Sequence, residues 1–121
     1  MYMAIPLSSD RRPKIRILQR ILESILGGSG RVALEYQLSR ILGDEPLQAF
    51  IDSPRKFYEA LTEIFGEGGA GIAFKFICGK LLELSRTVYP TPGDLFELML
   101  KNEEAASEEI RKLIQEAIRR E

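Results

Sequence analysis

The chain has 121 residues, a net charge of −1, one cysteine and no histidine. This length suits one domain with a single buried core, so we predict one domain over residues 1–121. No stretch approaches the roughly twenty apolar residues of a membrane span, and residues 1–6 lack the basic and long apolar regions of a signal peptide. Together with the lone Cys78, which cannot pair within the chain, these features predict a cytoplasmic protein.

Two helices are predicted in the first third of the chain, after a loosely ordered segment over residues 1–12. Apolar residues recur every three or four positions over residues 13–26, with Pro13 suited to the first helical turn. Glycines over residues 27–30 then permit a sharp reversal. A second helix follows over residues 32–42 and ends at Gly43, so the pair is predicted to form a helical hairpin.

A second hairpin is predicted after a loop with a short turn at residues 47–51. Ser53 and Pro54 are favourable N-cap and first-turn residues for a third helix over residues 54–65. Glycine-rich residues 66–71 break it. A fourth helix over residues 72–84 is apolar nearly all round, which predicts a central position. The paired hairpins therefore occupy residues 13–84.

The two hairpins align with each other. A shift of 39 positions places Leu18 over Phe57 and Gly27 over Gly66, and one inserted residue in the loop then places residues 32–42 over 72–82. Tyr36 falls over Phe76 in this alignment. We predict a degenerate internal repeat in which each hairpin covers the apolar face of the other. The alternative is that any two amphipathic hairpins align this well.

A C-terminal helical extension is predicted over residues 90–121. Asp94 and Glu97 are spaced as a capping box for a short helix over residues 95–101. A polar joint over residues 102–106 leads to an amphipathic helix that starts at Ser107. No convincing strand pattern occurs, so the predicted fold is all-α: two pseudo-repeated hairpins in a compact bundle, a short helix and a C-terminal amphipathic helix.

Catalytic and cofactor motifs are weak. Gly66, Gly68 and Gly71 satisfy GxGxxG, but that fingerprint needs a preceding strand, whereas the residues before Gly66 have helical spacing. The chain has no histidine, its cysteine lies in an apolar run, and its carboxylates are scattered over helix surfaces. We therefore expect a noncatalytic protein without a metal or cofactor.

Nucleic-acid binding is the alternative function. Residues 1–40 carry a net charge of +4 and residues 41–121 a net charge of −5. Tandem hairpins with glycine turns suggest helix-hairpin-helix modules, but Glu67 between two turn glycines would repel a phosphate. The candidate contacts are instead the basic side chains of the N-terminal third: Arg11, Arg12, Lys14, Arg16 and Arg20.

Protein interaction is the favoured function, with a homodimer or another protein as the expected partner. The last helix must bury its apolar stripe on its own core or on a second chain. Its candidate interface residues are Ile110, Leu113, Ile114 and Ile118. A third possibility is a small-molecule pocket between the hairpins, supported by Tyr36, Phe74 and Phe76, although such aromatics more often belong to a core.

Residues 54–68, PRKFYEALTEIFGEG, precede an apolar helix. This stretch resembles a group of small archaeal helical proteins, the Nitrosopumilus output domain family, in which a proline-led helix ends in phenylalanine and glycine. The similarity covers about residues 15–84. It implies a standalone interaction or signal-output module in an archaeal cell, and it transfers no site residue.

Overall fold

The computed structural model describes residues 12–121, which form five helices and no strand. The all-α prediction is confirmed. The predicted N-terminal segment, residues 1–12, lies outside the described residues except for the backbone of Arg12. The helices are α1 (Arg12–Leu42), α2 (Pro46–Asp52), α3 (Pro54–Ser85), α4 (Pro92–Lys101) and α5 (Glu103–Arg119).

Helix α1 is a hairpin that turns at one residue, Gly27. Its φ of 81° and ψ of 170° are non-helical and divide the helix into a first arm (residues 12–26) and a second arm (residues 28–42). Gln19 Nε2 donates to Glu35 Oε2 over 3.3 Å, and Arg31 Nε donates to Glu23 Oε2 over 2.9 Å. In both bonds donor and acceptor lie equally far from Gly27 in sequence, so the two arms run antiparallel.

Helix α3 repeats this turn at Gly66, whose φ is 80° and whose ψ is 168°. Its first arm is residues 54–65 and its second arm residues 67–85. A Cβ added at Gly30 would lie 2.8 Å from Leu26 Cβ, and one added at Gly69 would lie 2.9 Å from Phe65 Cβ. The two turns therefore share both a backbone conformation and a close contact, as the predicted internal repeat requires.

Burial follows the same alignment along the arms. The pairs Leu18 and Phe57, Leu22 and Leu61, Leu34 and Phe74, and Leu38 and Cys78 are all buried. The first two pairs are related by 39 positions and the last two by 40. The extra residue of the second hairpin consequently falls between Gly69 and Ile72, just after the turn.

Four segments that were predicted to interrupt the helices are largely helical, because fewer residues leave the helices than the glycines and polar runs suggested. Only Gly27 and Gly66 are non-helical within the predicted glycine breaks. The expected turn at residues 47–51 is part of the seven-residue helix α2. The expected polar joint at residues 102–106 is reduced to Asn102, whose Oδ1 accepts from the Ala105 N–H over 3.1 Å and so caps α5.

The capping box of α4 also differs from the prediction. Thr91 Oγ1 accepts from the Asp94 N–H, and Asp94 Oδ2 accepts from the Thr91 N–H, each over 3.1 Å. Thr91 is the N-cap because Pro92, which has no N–H to satisfy, fits the first helical position. Asp94 thus completes the box, and the helix begins three residues earlier than the predicted Leu95.

The start of α3 is capped from another helix. Ser53 occupies the predicted N-cap position but makes no capping bond with its side chain. The Arg55 N–H instead donates to Glu103 Oε2 over 3.0 Å, and Arg55 Nη2 donates to Leu100 O over 3.0 Å. Backbone groups at helix ends need hydrogen-bond partners, and these two bonds supply one to the start of α3 and one to the end of α4. They also connect the joint between α4 and α5 to the second hairpin.

The core is an aromatic cluster that joins α2, α3 and α4. Phe74 lies at its centre, with its ring centroid 5.5 Å from that of Phe50 and 5.8 Å from that of Phe96. Phe57 and Tyr58 complete the cluster. Phe74 is fully buried, which agrees with the central position predicted for the fourth helical segment.

Candidate interaction surface

Several large apolar side chains are exposed, and six of them form three pairs related by the internal repeat. The pairs are Leu26 and Phe65 beside the two turns, then Val32 and Ile72, and Tyr36 and Phe76, on the second arms. Single exposed apolar side chains are ordinary on protein surfaces. Their recurrence at equivalent positions of both hairpins marks these surfaces as candidates for binding.

On the first hairpin, Val32, Tyr36 and Arg40 form what we call outer triad 1. A spacing of four residues stacks these side chains on one face of the second arm. Tyr36 is 63% exposed, whereas Leu34 and Leu38 on the opposite face are buried. The guanidinium carbon of Arg40 lies 5.9 Å from the Tyr36 ring centroid, which is within cation–π range.

On the second hairpin, Ile72, Phe76 and Lys80 form outer triad 2 at the same spacing. Ile72 is 60% exposed and Phe76 57%. Packing explains why buried positions stay apolar in both hairpins, but it does not explain the outward positions. Each triad therefore presents a β-branched residue, an aromatic ring and a cation. Burying the two apolar side chains would lower the free energy only if another surface covered them.

Helix α4 converts outer triad 2 into one wall of a groove. Ile72, Phe76 and Gly79 on the second arm face Pro92 across a space of about 450 Å³. A Cβ added at Gly79 would lie 3.5 Å from Pro92 Cγ, so the two helices approach closely there. Helix α4 packs on α3 and α5 and makes no contact with α1. Outer triad 1 has no equivalent wall from α4.

The predicted interface on the last helix lies inside the protein. The structure buries Ile110, Leu113 and Ile114 against the core of the same chain, and Ile118 is partly buried against it. The Ser107 hydroxyl donates to the carbonyl of Ile51 in a buried contact, which ties α5 to α2. The helix thus packs on its own core, and the surplus apolar surface that motivated the interface lies on the outer triads instead.

The predicted nucleic-acid cluster is dispersed where the structure describes it. Arg16 and Arg20 are exposed one turn apart, while Lys14 precedes Arg16 by two residues and so lies on another side of the helix. Arg20 forms an ion pair with Glu121. The side chains of Arg11 and Arg12 lie outside the described residues.

The three aromatic residues predicted to line a pocket between the hairpins do not line a common pocket. Tyr36 and Phe76 point outward, whereas Phe74 is buried in the aromatic cluster. The space enclosed by Leu18, Leu22, Leu47, Phe50, Phe57 and Ile77 is about 10 Å³. That volume is at the lower limit for a single water molecule, so no small organic ligand fits in this enclosed space. A separate, open space of about 400 Å³ between the hairpins is lined by Gln37, Arg40, Ile41, Glu63 and Ile64, and by none of the three predicted aromatics.

Cys78 is fully buried, and burial raises the pKa of its thiol from 9.0 to about 12. Because the thiolate is the reactive form, we expect no labelling of the folded protein by Ellman's reagent at pH 8 and rapid labelling in denaturant.

Above pH 9 the Cys78 thiol ionises in the unfolded chain, while in the folded protein it stays protonated. Stability should therefore fall between about pH 9 and 12, and Cys78→Ala should lessen that fall. Labelling of the native protein by Ellman's reagent at the same rate as the denatured protein would contradict the burial of Cys78.

Among residues 12–121, no group of three or more acidic, cysteine or histidine side chains is placed to hold a metal ion. Within the same range, no helix has the length and apolarity needed to cross a membrane. Comparison with protein-family models, curated proteins and solved structures gave no match. The similarity to archaeal output domains therefore stays a prediction, and the repeated outer triads are a candidate binding surface that the sequence alone did not reveal.

Proposed function

We propose that this protein is a noncatalytic protein-interaction module that uses its outer triads to bind helical segments of a partner protein. The repetition of an exposed Val/Ile, Tyr/Phe and Arg/Lys triad on both hairpins carries the proposal. Aromatic and arginine side chains are the residues that dominate binding energy at protein interfaces. Such a module is of the kind that the resemblance to output domains implies.

The spacing within each triad favours a helical partner. Side chains at successive fourth positions form a straight apolar ridge along the second arm, about 12 Å long at 1.5 Å per residue. A partner helix can lay its own apolar stripe along such a ridge, with contacts at every third or fourth residue. The terminal cation then lies beside the path of the partner, where it can pair with a carboxylate.

The proposal is tested by removing both aromatic rings at once. We expect the Tyr36→Ser, Phe76→Ser double variant to retain about tenfold less, or lower still, of the proteins that co-purify specifically with the unmodified chain. Truncating an aromatic side chain at the centre of an interface costs about 2 kcal/mol or more of binding free energy. Its stability should change little, since both rings are exposed. Quantitative mass spectrometry of proteins retained by the tagged chain measures the loss, and light scattering shows whether the partner is a second copy.

The matched control carries two serines on the exposed face of α5, Lys112→Ser and Gln115→Ser. This control should retain the same proteins at the level of the unmodified chain. Equal retention by the aromatic double variant would overturn the proposal.

A further inference from the structure

The surface around outer triad 2 differs in shape and in charge from the equivalent surface around outer triad 1. Pro92 of α4 supplies a second wall there, whereas α4 makes no contact with the first hairpin. Because Gly79 has no side chain, Pro92 approaches the second arm closely there, and a Cβ added at Gly79 would lie 3.5 Å from Pro92 Cγ. A groove with an apolar floor and a helix on either side accepts a rod of helical diameter.

Two lysines lie on opposite sides of the apolar stripe of this groove. At 100° per residue, Lys75 lies about 100° to one side of Phe76 and Lys80 about 40° to the other. Lys75 Nζ lies 5.2 Å from the ring centroid of Phe96, at the α4 side. Lys80 Nζ lies 3.7 Å from Glu83 Oε1, and the Glu83 side chain is 73% exposed. Exposed pairs of this length contribute little, so Lys80 remains able to bind another carboxylate.

The equivalent position to Lys75 on the first hairpin has the opposite charge. It is Glu35, and its carboxylate is already bound by Arg31 Nη1 over 2.6 Å and by Gln19 over 3.3 Å. Outer triad 1 thus has an acidic flank that is satisfied within its own hairpin. The second hairpin alone presents two cations astride an exposed apolar stripe, which is the complement of an apolar stripe bordered by carboxylates.

We infer that the groove formed by Ile72, Phe76, Gly79 and Pro92 binds an amphipathic helix that carries carboxylates on both sides of its apolar stripe. This inference rests on the proposed function and adds the chemistry of the partner. Carboxylates on the partner pair with Lys75 and Lys80, while its apolar residues cover Ile72 and Phe76.

The test uses the full chain and two synthetic helical peptides that share a stripe of leucines. One peptide has glutamate on both flanks of the stripe, and the other has lysine. Fluorescence anisotropy should show binding of the glutamate peptide at least about tenfold tighter than the lysine peptide at low salt, with a smaller ratio at high salt. The Phe76→Ser substitution should weaken binding of the glutamate peptide by about tenfold or more.

Charge reversal provides the decisive variant. The Lys75→Glu, Lys80→Glu chain should reverse the preference and bind the lysine peptide more tightly, and its circular dichroism spectrum reports whether the fold is kept. Equal binding of the two peptides, or a preference that survives charge reversal, would overturn the inference. So would tighter binding of anionic phospholipid vesicles or single-stranded DNA than of the glutamate peptide. Loss of native partners on removing Tyr36 and Phe76 would still support the proposed function if the peptide preference fails.

Discussion

Replacing Phe74 by alanine is expected to lower the free energy of unfolding by about 3–5 kcal/mol, which is a large part of the stability of a small domain. The Phe74 ring is fully buried and contacts rings from three other positions, with centroids 5.5 Å away at Phe50, 6.2 Å at Tyr58 and 5.8 Å at Phe96. Its loss leaves a cavity where α2, α3 and α4 meet. Urea denaturation followed by circular dichroism measures the change.

Phe76→Ala is the matched control for this prediction. The same substitution two residues further along the same arm removes a ring that is 57% exposed. We expect it to change the free energy of unfolding by no more than about 0.5 kcal/mol. Similar losses for both variants would mean that Phe76 packs into the core, and outer triad 2 would then not exist as a surface.

Gly66→Ala is expected to cost about 1–3 kcal/mol, and Gly27→Ala the same within a few tenths of that amount. Both glycines have φ near +80° and ψ near 170°, a region that is almost closed to residues with a side chain. No atom lies within 4 Å of a Cβ added at either position. The cost therefore comes from the backbone conformation alone.

Gly68→Ala and Gly28→Ala are the matched controls for the two turns. These glycines are helical, and a Cβ added at either meets no atom within 4 Å. Alanine should therefore stabilise each by about 0.5–1 kcal/mol, since it loses less backbone entropy on folding. A D-alanine at Gly66 should also stabilise the protein by about 0.4–1 kcal/mol, because its mirrored preference accepts the positive φ. Destabilisation by the D residue would contradict the assigned turn.

The sequence predicted the all-α class and the repeat because apolar spacing and glycine position record both directly. Leu18 over Phe57 and Gly27 over Gly66 are matches of buried stripe and turn, which the structure reproduces. The extent of the breaks was not predictable from composition. Gly28, Ser29 and Gly30 have low helix propensity, yet they lie in a helix because propensity is weak compared with packing of the arms.

The candidate site was missed because an apolar residue in a sequence does not show on which face it lies until the core is known. Tyr36, Phe74 and Phe76 cannot be told apart by the spacing of apolar residues in the sequence, but only Phe74 packs into the aromatic cluster. The last helix shows the converse, since its apolar stripe looked unpartnered until α5 was placed against α2 and α3. The aligned pairs Tyr36 with Phe76 and Arg40 with Lys80 were the available signal for the outer triads.

Site-specific photo-cross-linking tests most directly whether the outer triads are binding surfaces. A photoreactive phenylalanine derivative is placed at Tyr36, at Phe76 or at the exposed control position Lys112, and the protein is irradiated in cell extract. We predict discrete cross-linked products from the two triad positions, of the same partner or of a second copy of the chain, and none from the control. Equal cross-linking from all three positions, or none from the two triads, would contradict the account.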